Sequence, residues 1–346
     1  AVEKYGPYSY WSARGGGGAY IEWETWGLDY TFGGCNSLAS GACQCAMPRD
    51  FVSTTSVGFN CCVDMDNVDR WVGVVDNAEL DGKRRDDTER VFVLWGSQPH
   101  SSKAAHGGHG LVDARSNLGV KSVVVDPYLT AEAAKADVWL PVRPGSDCAL
   151  MLSWIRYIID QKAYDEPFVK YWTNLPFLIN PDTRLAYRAE EVWPDYVNPA
   201  ADPDDVYDTP AYVCFDARTN TIQPFPFTAP GDSPVDPVVF ATATVNGKEA
   251  KTAGQIYWEE AEPWTLEAAA ETCWLKPEKI QEAIELYINA DFGGISNGVF
   301  SDHQENSSTA PLGALAIDSL LGFVETPLSA FQNHGPASLT PDRPTV

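Results

Sequence analysis

The stretch whose reading decides the fold is Val123–Asp160, "VVVDPYLTAEAAKADVWLPVRPGSDCALMLSWIRYIID". It opens on three valines, β-branched residues that fit a buried pleated surface. It breaks at Asp126-Pro127, where proline removes a ladder donor. "TAEAAKAD" then predicts a short helix over 130–137, "VWLPV" a further strand and "RPGSD" a loop. "CALMLSWIRYIID" carries apolar residues at helical spacing, with Ser146 and Asp147 placed to cap its start. Strand, short helix, strand and long helix at these intervals predict parallel strands joined by crossovers.

Working outward, "RVFVLWGSQP" (Arg90–Pro99) is another buried-strand run entering a tight loop. The glycine-rich "HGGHGLVDARSNLG" after it predicts a loop and a short helix. Downstream, "TLEAAAETC" and "KPEKIQEAIELYINA" predict helices, "GGISNGVF" a strand, and "SDHQENSSTAPLGALAIDSLLGF" a polar loop and a helix. From 178 to 262 the periodicity gives way to Pro, Asp and short β-like pieces, which predicts an irregular insertion. The fold class expected is α/β, a doubly wound, mainly parallel sheet. In such sheets ligands bind beyond the carboxyl ends of the strands, at a topological switch point. The loops Gly96–Pro99, Asp126–Thr130 and Pro144–Asp147 stand at those ends.

Composition narrows the partners. A formal charge of -24 argues against a nucleic-acid partner, whose phosphates need positive patches. No apolar run reaches the roughly 18 residues that span a bilayer, so direct membrane insertion is not expected. The beginning, "AVEKYGPYSYWSARGGGG", has neither an initiator Met nor a charged n-region nor an h-region. It reads as the tail of a helix stopped at Gly6, and the expectation is an internal piece of a longer protein, which leaves the compartment unassigned.

The common cofactor motifs fail. There is no phosphate-loop G-x-x-x-x-G-K-[ST] and no G-x-G-x-x-G after the first strand. His106 and His109 lack thiols or acids at ligand spacing and read as polar loop residues. The cysteine cluster Cys35, Cys43, Cys45, Cys61 and Cys62 matches no C-x2-C template for zinc or iron–sulfur. Cys148, Cys214 and Cys273 lie apart and read as small core residues.

Taken together, these segments resemble the catalytic subunit of the molybdopterin oxidoreductase (dimethyl sulfoxide reductase) superfamily. Val123–Thr173 carries the family's order of apolar strand, Asp-Pro, Thr-x-x-Ala-x-x-Ala-Asp, Arg-Pro-Gly-Ser-Asp, helix and Tyr-Asp-x-x-Phe-Val. "VLWGSQP" resembles the preceding strand and its Gly-x-Asn-Pro loop, with Gln98 where Asn is commoner. "SDHQENSSTAPLGALAIDSLLG" resembles the later loop and helix, and its Asp302, Gln304, Asn306 and Ser307 are similar to the acetylene hydratase and pyrogallol transhydroxylase branch.

The resemblance implies two molybdopterin guanine dinucleotides around one Mo or W atom, with this chain holding much of one guanine-dinucleotide-binding domain. On that reading 1–70 is a partial α/β domain with the metal-ligand segment. Residues 71–177 and 263–346 are the two halves of the dinucleotide domain, around the insertion 178–262. The implied cofactor residues are Gly96, Ser97, Gln98, Asp126, Pro127, Thr130, Pro144, Gly145, Asp147, Gln304 and Asn306. Carboxylates such as Asp126 and Asp147 can accept from ribose hydroxyls or a guanine edge; the alternative is that both only cap turns. Tyr128 stands where the family often has Arg. The metal ligand implied is Cys45, which opens "CAMPRD", with Cys43 its rival; a thiolate is a soft ligand suited to the metal. Gln44 and Arg49 are the expected pocket groups beside it.

The family's iron–sulfur cysteines precede this region, so a [4Fe-4S] cluster is expected outside this chain, with an iron–sulfur electron-transfer subunit as partner and a small molecule as substrate. Ala46 stands where formate dehydrogenases place His. The Asp-x-Gln-x-Asn-Ser loop leans toward hydration and hydroxyl-transfer chemistry, with an oxyanion reductase close behind. An expectation of another class is an α/β protein that kept the fold without the cofactor.

Overall fold

The computed structural model describes residues 2–13, 27, 31, 37–38, 48, 51–52, 55–56, 89–102, 109–199, 210–226, 230–298 and 303–324. Its centre is a four-stranded parallel sheet. Strands β1 (Arg90–Trp95), β2 (Lys121–Val125) and β3 (Val138–Leu140) follow one another, with helix α1 (His109–Leu118) crossing between the first two. The fourth strand, β9 (Phe292–Asn297), returns from far along the chain to pair on the other side of β1, with Ile295 opposite Val93. The order is therefore β9-β1-β2-β3, and the direction of winding reverses between β9 and β1.

Both faces of the sheet are covered, which explains why these strands read as continuous apolar runs. Val91, Val93, Trp95, Val123, Val125, Leu140 and Ile295 face one large core. Across it lie α2 (Asp147–Asp160), α5 (Leu266–Cys273), α6 (Pro277–Ile288) and α7 (Thr309–Leu320). The alternate residues Phe92, Leu94 and Val124 face α1 through Leu111 and Ala114. Each fully buried large side chain here contributes roughly 1.5–3 kcal/mol. An aromatic chain runs through the larger core: Trp95 meets Trp154 at 5.8 Å, Trp154 meets Tyr287 at 5.9 Å, and Tyr287 meets Phe323 at 5.4 Å. A Cβ on Gly293 would lie 2.6 Å from the Tyr287 ring and 2.8 Å from Phe323, so β9 needs glycine where the rings close over it.

One acid lies inside this core. Asp318 of α7 accepts from Tyr287 Oη at 2.5 Å and from the Ile295 amide at 3.1 Å. It thereby satisfies an outward-facing donor of β9. Burial pushes its carboxyl up to about 7, against the pull of those two donors.

Three places refine or correct the sequence reading. First, the short β-like pieces expected in the insertion 178–262 are antiparallel strands. Strands β4 (Leu178–Ile179), β7 (Thr242–Val245) and β8 (Lys248–Thr252) form an antiparallel sheet of order β4-β8-β7. β5 (Tyr212–Asp216) and β6 (Thr221–Phe225) form a hairpin. Small apolar clusters around Leu178, Val213 and Val245, and around Phe177 and Phe225, hold these pieces. Second, "TAEAAKAD" makes only one 3-10 turn, Ala133–Lys135, because Thr130 Oγ1 caps it at Ala133 and the Asp137 carboxylate instead accepts from the Ser122 amide at the start of β2. Third, the Ser146 hydroxyl does not cap α2; it donates to the Arg143 carbonyl at 2.7 Å.

The larger core's surround also includes α4 (Ala253–Ala261), capped by Thr252, and α5 is capped by Thr265. α3 (Glu166–Trp172) follows α2 and is capped by Asp165. Among the described residues no helix is long and apolar enough to cross a membrane.

Candidate functional site

The carboxyl ends of the four strands are knitted into a rim by their first loop residues. The Gly96 amide donates to the Val125 carbonyl at 2.8 Å, Asp126 to Leu140 at 3.2 Å, and Gly298 to Trp95 at 2.9 Å. Gly96 has a φ of 59°, a left-handed value that glycine adopts without cost. Gly298 presses against it so closely that a Cβ there would lie 1.8 Å from the Gly96 carbonyl oxygen. The loops on either side of the winding reversal thus meet backbone to backbone.

Four groups of expected site residues are described on this rim. Gly96, Ser97 and Gln98 leave β1, and Gln98 Nε2 donates to Asp126 Oδ2 at 3.4 Å. Asp126 is buried at the end of β2; its other oxygen accepts from the Tyr128 amide at 2.8 Å, and its carbonyl takes the Trp139 indole N–H at 2.9 Å. Asp126 therefore does shape a turn, while Gln98 also reaches it. Pro127 and Tyr128 are exposed beyond it. The Thr130 hydroxyl oxygen is occupied by the Ala133 amide.

Asp147, at the first turn of α2, is the most enclosed of the group. Trp95 Nε1, from the last residue of β1, donates to it at 2.8 Å. Burial pushes its carboxyl upward, and the Trp95 indole, the backbone amides around it and the Gln304 amide pull the other way. Gln304 Nε2 is buried and makes no well-formed hydrogen bond. Pro144 and Gly145 project outward before the helix; Gly145 has a φ of 82° and open space where a side chain would stand. Asn306 is exposed, and its carbonyl receives the first amides of α7 from Thr309 and Ala310. Thus Gln98 meets Asp126 and Gln304 faces Asp147, whereas Thr130 and Asn306 serve local turns.

Sequence reasoning missed Trp95, His100, Glu132 and Gly298. Glu132 is buried and takes both the His100 amide at 2.8 Å and His100 Nδ1 at 3.0 Å. A carboxylic acid inside "TAEAAKAD" gives no hint of a partner in another loop, and Trp95 reads only as a core residue.

Cys45, Gln44 and Arg49, with Cys43, Cys35, His106 and Asp302, lie outside the described residues. Among the described residues no cluster of His, Cys and acidic groups could hold a metal ion. Cys148, Cys214 and Cys273 are free thiols. Burial pushes Cys148 up to about 11 and Cys214 up to about 12, which keeps both protonated at neutral pH.

The chemistry of the rim suits the nucleoside end of a dinucleotide. Buried carboxylates offer acceptors for N–H and O–H groups, the Gln304 amide beside Asp147 offers a donor, and side-chain-free backbone allows close approach. Fold and rim together define a doubly wound α/β domain with its loops gathered at the strand ends. No family model matches the chain. It is 28% identical over 296 residues to a putative catalytic subunit of dimethyl sulfoxide reductase from Halobacterium salinarum, covering 85% of this chain and 31% of that protein. It is 48% identical over 78 residues to acetylene hydratase of Syntrophotalea acetylenica, 22% of this chain and 9% of that one. It is 41% identical over 93 residues to dopamine dehydroxylase of Eggerthella lenta, 27% and 9% of the respective chains. These matches are to enzymes of the molybdopterin oxidoreductase superfamily, and the chain spans about a third or less of their length. The family implies a molybdopterin cofactor with molybdenum.

Proposed function

We propose that this chain is the nucleotide-holding segment of an enzyme that carries Mo or W on two molybdopterin guanine dinucleotides. The observation behind this reading is the rim at the strand ends, where Gln98 meets Asp126, the Gln304 amide stands beside Asp147, and Gly298 closes on Gly96 backbone to backbone. Asp126 and Asp147 would accept from the guanine edge or ribose hydroxyls, Gln304 would donate, and Gly96, Ser97, Pro144 and Gly145 would shape the loops. The metal and its pterins, when bound, supply oxygen-atom, hydroxyl or electron transfer to a small organic or inorganic molecule. This chain's own part is to bind and orient one nucleotide tail, and through Cys45, with Cys43 as rival, to give the metal a thiolate. Gln44 and Arg49 would face the substrate.

A second reading within the family is favoured by the local similarities to acetylene hydratase and dopamine dehydroxylase. It takes the reaction as hydration or hydroxyl removal at carbon in place of oxyanion reduction. A [4Fe-4S] cluster and an iron–sulfur partner subunit belong to the whole-protein proposal.

The test is elemental and nucleotide analysis of the full-length protein from a host competent in pterin synthesis. One Mo or W per protein, with GMP released on acid hydrolysis, is expected. Protein free of both would leave the cofactor-free α/β reading standing. For Cys45, X-ray absorption on Cys45→Ser should lose one metal–sulfur neighbour; an unchanged sulfur count removes Cys45 from the metal.

A further inference from the structure

Two rungs connect the loop after β1 to the turn after β2. The first is Gln98 to Asp126, within the site already described, and at 3.4 Å it is long. The second is His100 to Glu132, and it is shorter and more enclosed. Glu132 Oε1 takes the His100 backbone amide at 2.8 Å and lies 3.0 Å from Nδ1 of the same residue. The Glu132 side chain is 1% exposed and that of His100 31%. A carboxylate oxygen accepts, so Nδ1 carries the proton and the imidazole is held in one orientation. Glu132 Oε2 is buried without a hydrogen-bond partner. An acid so placed costs stability unless the loops it joins are needed in that relation.

The chain path makes the consequence direct. His100 lies two residues beyond Gln98, and the Ser101 amide bonds back to the Gln98 carbonyl at 3.0 Å, so fixing His100 fixes the turn that carries Gln98. Glu132 lies in the turn that begins at Asp126 and is closed by the Ala134 amide on the Thr130 carbonyl at 2.9 Å. We propose that Glu132 and His100 are a positioning pair, a strap that sets the spacing of the Gln98 and Asp126 loops and thereby retains the nucleotide tail lodged against them. The inference rests on the cofactor reading above. It adds residues that touch no ligand and act through the loops they join.

The experiment uses the full-length holoprotein, with Glu132→Ala, His100→Ala and the double variant beside the wild type. GMP equivalents per protein are measured after timed dialysis, at a temperature where near-UV circular dichroism shows every variant fully folded. Glu132→Ala should lose one of the two guanine equivalents about tenfold faster than wild type, the size of effect seen when a supporting partner is removed. His100→Ala, which keeps the backbone rung, should lose it more slowly than Glu132→Ala. The double variant should match Glu132→Ala, since the two residues act as one unit. Release at the wild-type rate from folded Glu132→Ala overturns the strap and leaves the cofactor reading intact. A wild type that carries no guanine nucleotide overturns both. Additive effects of the two substitutions also sink the strap, because they show two independent contributions.

Discussion

The two ends of the parallel sheet hold acids in opposite ways. At the amino end, Glu89 pairs with Lys121 at 2.8 Å in the open, with side chains 60% and 42% exposed. Glu282, Glu285 and Asp137 line the same shallow cavity. At the carboxyl end, Asp126, Glu132 and Asp147 are buried and held by N–H donors from neighbouring loops. Water solvates the first group at little cost, whereas burial of the second must be offset by the rest of the fold. Among the described residues, the informative acids are the few that the strands carry inward.

The sharpest way to test this contrast is the acid buried deepest. Asp318 has its carboxyl raised from 3.8 to about 7, so the native state holds a proton that the unfolded chain releases. Stability should therefore fall as pH rises from about 4 to about 7 and level off above. Over that window the loss is on the order of 4 kcal/mol. Asp318→Asn can still accept from the Ile295 amide while its NH2 donates to Tyr287, so it should flatten the profile and exceed wild type at pH 8. Urea midpoints across pH read this out, and parallel profiles for the two proteins would sink the assignment.

Next in size is Gly298→Ala. A Cβ 1.8 Å from the Gly96 carbonyl must push the two loops apart, at about 3 kcal/mol by the usual cost of overpacking. Thermal scans of the full-length protein should show the drop together with loss of guanine nucleotide. An unchanged melting temperature would mean that the loops are not in contact.

Asp147→Asn tests the rim itself. It keeps an oxygen for the Trp95 indole but removes the charge, and nucleotide retention should weaken by about 2 kcal/mol, the scale of a charged hydrogen bond. Calorimetric or dialysis measurement of retained nucleotide decides it. At the small end, Glu89→Ala should change stability by less than about 1 kcal/mol, and any change should fade in high salt. A large effect there would break the comparison between the two ends.

The strands and helices of the sheet were legible because local patterns carry them. Three valines before Asp-Pro, Gly6 ending the opening helix Val2–Tyr5, and Thr265 before "LEAAAETC" each state their role within a few residues. The rim was legible only in part. Asp126 and Asp147 stood out at strand and helix ends, but the pairing of β9 with β1 spans some two hundred positions that no local pattern encodes. The same holds for Gln304 against Asp147 and for Glu132 against His100. Within 178–262 the β-like pieces were legible but their pairing was not, and the two-residue strand Leu178–Ile179 leaves no alternation to read.

The late return of β9 also bears on the order in which the protein is made. While the chain emerges at about 5–20 residues per second, β1 leaves the ribosome roughly 10–40 s before its neighbour on that side. For that interval the central strand has one open edge, an apolar ladder able to pair with any passing strand. The crevice at the winding reversal does not exist until Gly298 closes on Gly96, so on the proposed function a nucleotide would be received only by a chain whose synthesis has passed that point. Slowing translation between β3 and β9 should lengthen the window of chaperone dependence without changing the finished fold.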